Sequence, residues 1–377
     1  MQIGIPAETA AAETRVAATP ETVRKYVTMG YKVVVQSKAG LSSTYTDAAY
    51  VEAGAEVVAD AASALRDSDL VLKVVAPDDQ ETALIKQGAI VLAIQAPHQN
   101  PYLEQYAQRQ LTCVAMELIP RITRAQSSDV LSSQANVAGY KAVLMAANAY
   151  QRMFPMLMTA AGTIKPARVL ILGVGVAGLQ AIATARRLGA VVEASDMRPA
   201  ARDQVESLGG KWLDVPMSDE EKAKALGTGG YAWIPSPEYV RDQAQVVDKA
   251  AQAADIVITT AQIPGRKAPV LIKADTVARM KSGAVIVDMA VSSGGNVEGS
   301  RLDETVHTEN GVTILGVGNI PATVAAESSA LYARNMINFI QPQHDKESRS
   351  FVLNREDDMV KPTLIVDGGQ VLYKKPS

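Results

Sequence analysis

The sequence predicts an α/β protein made of two doubly wound, Rossmann-like domains joined by long helices, and three observations support this. Its 377 residues correspond to about two domains of roughly 100–200 residues each. Short apolar runs alternate with helical patterns along most of the chain, as in parallel sheets that helices cover. A glycine-rich segment at 173–178 lies between a predicted strand and a predicted helix, as doubly wound sheets require.

The first series of strands and helices starts at the N-terminus, and we expect its domain to comprise residues 1–132 and 325–377. A helix should begin at Pro20, because Thr19 can act as its N-cap, and should stop at Gly30. Apolar runs predict the strands of this domain at 2–6, 31–36, 69–75, 89–94 and 112–116.

A second series begins at Ala167, and we expect its domain to span residues 145–320. Ser236-Pro237-Glu238 should begin a helix here. Two long helices, at 133–163 and 322–340, are expected to link the domains, and the run at 364–373 suggests a hairpin. Apolar runs predict the strands of the second domain at 169–172, 191–195, 256–259, 284–287 and 312–315.

The glycine-rich segment matches the fingerprint of a dinucleotide-binding turn. Gly173 would permit the tight turn, Gly175 would let a pyrophosphate approach the backbone, and Gly178 would let the helix pack on the sheet. The N–H groups of Val176 and Ala177, at the start of the helix, would then face the phosphates. We therefore expect a dinucleotide at this turn.

An acidic residue, Asp196, ends the strand that follows the fingerprint helix. Its carboxylate would accept hydrogen bonds from the adenosine ribose and repel a 2′-phosphate, so NAD(H) is preferred over NADP(H). Met197 and Arg198 come next, and the charge of Arg198 acts against this preference. Further candidate contacts follow later predicted strands, namely Ala261, Gln262 and Asn319.

Composition argues against several other classes of protein. The single Cys113 excludes a disulfide framework, and three histidines leave little for a histidine-based metal site or hydrolase. The formal net charge of −3 argues against a nucleic-acid partner, because such proteins usually carry basic domains. The sequence shows no export signal and no apolar run of spanning length, so we expect a cytoplasmic protein with no membrane span and no metal.

Taken alone, the polar stretch 116–134 is equally expected of a solvated loop that enters a helix. Together with 159–163 and 173–185, however, it closely resembles the NAD(H)-binding domain of the proton-translocating nicotinamide nucleotide transhydrogenases. The resemblance implies a soluble first alpha subunit that holds NAD(H) and forms a homodimer. It implies partners as well: an NADP(H)-binding beta subunit and a small membrane alpha-2 subunit, which hold the chain at the cytoplasmic face of the inner membrane.

The resemblance also assigns roles to particular residues. Hydride would pass directly between two nicotinamides, coupled to proton translocation in the membrane part. The matching positions comprise nicotinamide contacts, neighbours that position the ring, a mobile loop over the nucleotide and a residue that supports the loop: Arg121 and Gln126; Asp129 and Ser132; Gly229 and Tyr231; and Gln243.

Two alternatives remain, alanine dehydrogenase and a non-catalytic NAD-binding regulator. Arg15 and Lys73 match the substrate-binding arginine and lysine of alanine dehydrogenases. Ala96 and Ser292 stand where that family has its catalytic histidine and aspartate. Because reductive amination needs acid–base groups, these two departures favour the transhydrogenase component.

Overall fold

The structure is a computed structural model that describes residues 1–226, 235–263 and 265–374. The chain forms two compact units, Met1–Gln134 with Pro321–Ser377 and Ala135–Ile320. The strands are β1 (Gln2–Ile5), β2 (Lys32–Gln36), β3 (Glu56–Val58), β4 (Leu70–Val75), β5 (Ile90–Ile94), β6 (Thr112–Ala115), β7 (Leu157–Thr159), β8 (Gly162–Ile164), β9 (Arg168–Leu172), β10 (Val191–Ser195), β11 (Lys211–Trp212), β12 (Ile256–Thr259), β13 (Val285–Asp288), β14 (Glu304–His307), β15 (Thr313–Gly316), β16 (His344–Asp345), β17 (Ser350–Phe351), β18 (Leu364–Asp367) and β19 (Gln370–Val371). The helices are α1 (Pro20–Thr28), α2 (Asp47–Glu52), α3 (Ala61–Leu65), α4 (Asp79–Leu84), α5 (Leu103–Gln108), α6 (Val130–Ala149), α7 (Val176–Arg187), α8 (Arg202–Ser207), α9 (Asp219–Leu226), α10 (Pro237–Ala253), α11 (Ala274–Ala278) and α12 (Ala325–Ile340).

The first unit contains an eight-stranded sheet in the order β19-β18-β6-β5-β4-β1-β2-β3. Strands β1 to β6 pair in parallel, whereas β18 and β19 add an antiparallel hairpin to the β6 edge. This confirms the hairpin expected within 364–373. The six parallel strands follow the order 3-2-1-4-5-6, which defines a doubly wound sheet.

The second unit repeats this order in a seven-stranded sheet, β11-β10-β9-β12-β13-β15-β14. All neighbours are parallel except β14, which pairs antiparallel with β15. The predicted α/β fold class with two doubly wound sheets is confirmed. Central strands such as Val285–Asp288 are buried along their whole length, as expected where helices cover both faces.

Local signals in the sequence explain where several helices begin and end. Thr19 accepts a hydrogen bond from the Thr22 N–H in front of α1, and Gly30 follows this helix with φ +91°. Positive φ costs glycine little, so the chain can turn there. Ser236 likewise accepts from the Tyr239 N–H and caps α10.

The helix expected over 133–163 is wrong. Helix α6 starts earlier, at Val130, and ends at Ala149, and β7 and β8 then pair as an exposed antiparallel hairpin. Pro155 cannot donate a helical hydrogen bond, and Gly162 adopts φ +132° in the hairpin. The Ala- and Met-rich composition that suggested a continuous helix is overridden by these two residues. The helix expected at 322–340 is present, as a 3₁₀ turn at Pro321–Val324 followed by α12.

Helix α12 supplies much of the core of the first unit. Its buried face presents Tyr332, Met336, Phe339 and Ile340 to an apolar cluster that includes Ile3. Each such side chain contributes about 1.5–3 kcal/mol on full burial. The Tyr332 hydroxyl also donates to the Lys73 carbonyl oxygen at 2.8 Å, so the core keeps this polar group paired. Among the described residues, no helix is both long and apolar enough to cross a bilayer.

Candidate dinucleotide site

The glycine-rich turn joins β9 to α7 in the second unit. Strand β9 lies between β10 and β12, and the order of the strands reverses at this position. In doubly wound sheets, the carboxyl ends of the strands at such a reversal form the crevice where ligands bind. The fingerprint predicted from the sequence therefore stands at the position where this topology places a nucleotide.

The three fingerprint glycines have different structural reasons. Gly173 has φ +95°, and an added Cβ would lie 2.5 Å from the Thr260 Oγ1. A Cβ at Gly178 would collide with the carbonyl oxygen of Gly173, so α7 packs directly on the turn. Nothing lies within 4 Å of the Cβ position at Gly175. This open space fits the close approach of a diphosphate to the backbone.

The N-terminus of α7 begins at Val176 and Ala177. Among the described residues, no side chain caps this helix, whose N-cap is Gly175. The first N–H groups of a helix lack intrahelical partners and carry the positive end of the helix dipole. Together with the space at Gly175, they make a suitable cradle for phosphates.

Asp196 closes the turn from the carboxyl end of β10. Its Oδ2 accepts from the Val174 N–H at 2.7 Å, and its Oδ1 accepts from the Arg198 Nε at 2.8 Å. Burial disfavours the charged carboxylate, but the hydrogen bonds from Arg198 and Val174 outweigh it and hold its pKa below the ordinary value. Asp196 is thus an ionised acceptor beside the fingerprint.

A cavity of about 220 Å³ opens next to Asp196. Three of the residues that line it, Trp212, Leu213 and Tyr239, were missed by sequence reasoning because they belong to β11, its continuation and α10. Sequence proximity could not have linked them to Asp196. The full lining comprises Asp196, Pro199, Arg202, Trp212, Leu213, Asp214, Val215, Met217, Lys222 and Tyr239.

A buried network fixes the turn that follows β12. Asn296 accepts from the Ala261 N–H at 3.1 Å and donates to the Ala261 carbonyl oxygen at 2.9 Å. Asp288 in turn accepts from the Asn296 N–H at 3.0 Å. Gln262 donates to the Met289 carbonyl oxygen at 3.0 Å. The predicted contacts Ala261 and Gln262 therefore lie on a segment held by side chains that the sequence had not suggested.

The remaining candidate contacts of the second unit are spread over several elements. Met197 directly follows Asp196, and Asn319 follows β15 on the other side of the sheet order. Gln243 lies half-buried within α10. Gly229 and Tyr231, the expected mobile loop, lie outside the described residues.

The four residues predicted to handle the nicotinamide lie close together along the first unit. Arg121 and Gln126 are exposed, Gln126 within a 3₁₀ helix at Thr123–Ser128. Asp129 accepts from the Ser132 N–H at 2.9 Å and from its hydroxyl at 2.6 Å. Asp129 is therefore also the N-cap of α6, a structural role signalled by an Asp three residues before a Ser at a helix start.

The residues that match an amino-acid dehydrogenase are engaged with carboxylates in the first unit. Arg15 pairs with Glu13 at 2.6 Å, and Lys73, only 1% exposed, pairs with Glu81 at 2.6 Å and Glu8 at 3.2 Å. Burial opposes the charge on Lys73, but the two carboxylates outweigh it and raise its pKa. Both cations are thus compensated internally.

Comparison with known proteins gives consistent matches over the whole chain. Residues 4–138 and 142–374 match the N-terminal and C-terminal domain models of alanine dehydrogenase/PNT. The chain is 48% identical to an NAD(P) transhydrogenase subunit alpha of Rhodospirillum rubrum, over 99% of this chain and 98% of that protein.

Solved structures agree with the sequence relatives. A transhydrogenase from Sinorhizobium meliloti matches with a TM-score of 0.89 and 44% identity, covering 99% of this chain and 100% of that chain. An L-alanine dehydrogenase matches less closely, with a TM-score of 0.79 and 26% identity over 99% of this chain and 97% of that chain.

Proposed function

The chain belongs to the alanine dehydrogenase/PNT family, in the branch of the NAD(P) transhydrogenase alpha subunits, and we propose that it is the NAD(H)-binding subunit of a proton-translocating transhydrogenase. Hydride then passes directly between NAD(H) on this chain and NADP(H) on a partner beta subunit. Proton translocation takes place in the membrane part, which includes a small alpha-2 subunit. The fingerprint of Gly173, Gly175 and Gly178 closed by Asp196 is the observation that carries this proposal.

The residues of the second unit suit a dinucleotide held by its adenosine and diphosphate. The N–H groups at the start of α7 offer donors to the phosphates, and Asp196 offers acceptors to a ribose. The cavity beside Asp196, with Trp212 and Tyr239 in its wall, offers an apolar place for an adenine ring. A carboxylate at Asp196 disfavours a 2′-phosphate, which supports NAD(H) over NADP(H).

The residues of the first unit suit the orientation of a nicotinamide. When bound, NADH supplies the hydride, and no proton accompanies it. Arg121, Gln126 and Ser132 can therefore act by hydrogen bonding alone, without a group that titrates near neutral pH. Their task is to aim the ring and keep water away, because transfer depends on close, aligned reacting atoms.

An amino-acid dehydrogenase activity is disfavoured by the same unit. Arg15 and Lys73 already satisfy Glu13, Glu8 and Glu81, so neither cation is left to bind a substrate carboxylate. Ala96 and Ser292 offer no group for proton transfer at the two matching positions.

We also propose that the chain forms a homodimer and associates with the cytoplasmic face of the inner membrane only through its partners. The β7–β8 hairpin supports the dimer, because Met158 is 73% exposed, Met156 is 61% exposed and Leu157 lies beside them. An isolated two-stranded hairpin is marginally stable in water, and exposed apolar clusters mark interfaces. Replacing Met158 by Glu should shift sedimentation from dimer to monomer. A wild-type monomer at micromolar concentration would contradict the dimer.

Two measurements test the central proposal. The chain should bind NADH with clear preference over NADPH in fluorescence titration or equilibrium dialysis. Mixed with the NADP(H)-binding and membrane components of its complex, it should transfer deuterium from deuterated NADH to NADP+ in a single turnover without loss to solvent. Exchange of the label with water, or equal affinity for NADPH, would contradict the proposal.

A further inference from the structure

The carboxylate of Asp196 already accepts four hydrogen bonds in this structure. Oδ1 accepts from the Arg198 backbone N–H at 2.9 Å and Nε at 2.8 Å, and Oδ2 accepts from the Val174 N–H at 2.7 Å and the Arg198 Nη2 at 3.0 Å. An ionised carboxylate offers about four lone-pair sites. A ribose hydroxyl can therefore bond to Asp196 only when one of these donors leaves.

Only one kind of donor to Asp196 can leave without rebuilding the turn. The N–H groups of Val174 and Arg198 belong to the backbone of the site itself. The guanidinium of Arg198 is at the end of a flexible side chain that is 31% exposed, against 10% for Asp196. It also donates to the Val174 carbonyl oxygen at 3.1 Å, so it rests across the fingerprint turn rather than in the protein core.

We propose that Arg198 determines nucleotide specificity by competing with the adenosine ribose for Asp196. The inference rests on the proposed NAD(H) site. When NADH binds, the guanidinium gives up its place on the carboxylate to the ribose hydroxyls. When NADPH binds, the displaced guanidinium is the cation within reach of the 2′-phosphate and offsets the repulsion from Asp196.

Removing the guanidinium should therefore act in opposite directions on the two nucleotides. NADH should bind more tightly, because the competent state of Asp196 no longer has to be freed from its ion pair. NADPH should bind more weakly, because nothing then offsets the repulsion between carboxylate and phosphate. A residue that only supported the turn would weaken both.

The test uses Arg198→Met, which keeps most of the apolar stem, and Arg198→Lys, which keeps the charge but cannot donate to both carboxylate oxygens in the same way. Dissociation constants for NADH and NADPH are measured by fluorescence titration, with thermal unfolding as a check on folding. We expect the Met variant to lower the NADH constant roughly fivefold and to raise the NADPH constant. The Lys variant should bind NADH more tightly than wild type while keeping its NADPH affinity.

A matched control is Arg168→Met, which removes the arginine that pairs with Glu193 at 3.4 Å at the other end of β9. It should leave both constants unchanged. The inference is overturned if the wild type binds NADH and the Arg198 variants that fold bind it equally or more weakly. Failure of the wild-type chain to bind NADH would instead overturn the proposed function, so the two failures are distinguishable.

Discussion

Asp129 combines two roles at the scale of a single residue, and two substitutions separate them. Both of its bonds to Ser132 cap α6, while its charge is proposed to position the nicotinamide. Asp129→Ala should lose about 1 kcal/mol of stability with the cap and slow hydride transfer. Asp129→Asn keeps an acceptor for the Ser132 N–H, so the unfolding temperature should hold while transfer slows. If the Asn variant transfers hydride at the wild-type rate, Asp129 is a cap only.

Arg121 and Gln126 allow a cleaner test, because both side chains are exposed. Exposed substitutions away from special features usually change stability by less than about 0.5 kcal/mol. Arg121→Ala and Gln126→Ala should therefore unfold at the wild-type temperature and bind NADH nearly as well, since phosphate and ribose contacts dominate affinity. Single-turnover transfer should slow, because a misplacement of about 1 Å can cost on the order of a hundredfold in rate. Wild-type transfer rates would show that this stretch is a solvated face.

At the scale of elements, a close contact between two helices supports the nucleotide turn. Gly139 lies within α6, and a Cβ there would fall far inside contact distance of the Ala177 carbonyl oxygen in the first turn of α7. Gly139→Ala should push that turn away at a cost of about 1–3 kcal/mol and weaken NADH binding. The control is Asn136→Ala, an exposed position on the same helix. Unchanged NADH affinity in Gly139→Ala would mean that the turn tolerates the shift.

Which elements could be predicted depended on how much of each element is buried. Buried strands such as β4 and β13 are continuous apolar runs, and the sequence located them to within one or two residues. Strands β3, β11 and β14 escaped prediction because they are short or exposed and carry polar residues. The fingerprint was found because three glycines in one turn have a local cause. Trp212 and Tyr239 were missed because their meeting beside Asp196 depends on tertiary packing.

At the scale of the whole molecule, the same strand order serves two purposes. Both units follow the order 3-2-1-4-5-6, although the sequence shows no repeat. In the second unit the first strand leads into a glycine turn. In the first unit β1 leads into Pro6 and on to Glu8, whose carboxylate pairs with Lys73. A glycine turn able to hold a diphosphate is therefore absent after β1, and this argues for one nucleotide per chain and a second on a partner.

This division of labour predicts that the isolated chain does not catalyse reductive amination. With NADH, pyruvate and ammonia, the purified chain should show no NADH oxidation by absorbance, although NADH binding is retained. The compensated cations Arg15 and Lys73 cannot anchor pyruvate, and Ala96 and Ser292 cannot move protons. Binding measured in the same sample is the control, since it separates an inactive site from an empty one. Turnover at about 1–1000 per second, the ordinary range for enzymes, would require Lys73 to leave Glu8 and Glu81 and would contradict the assignment.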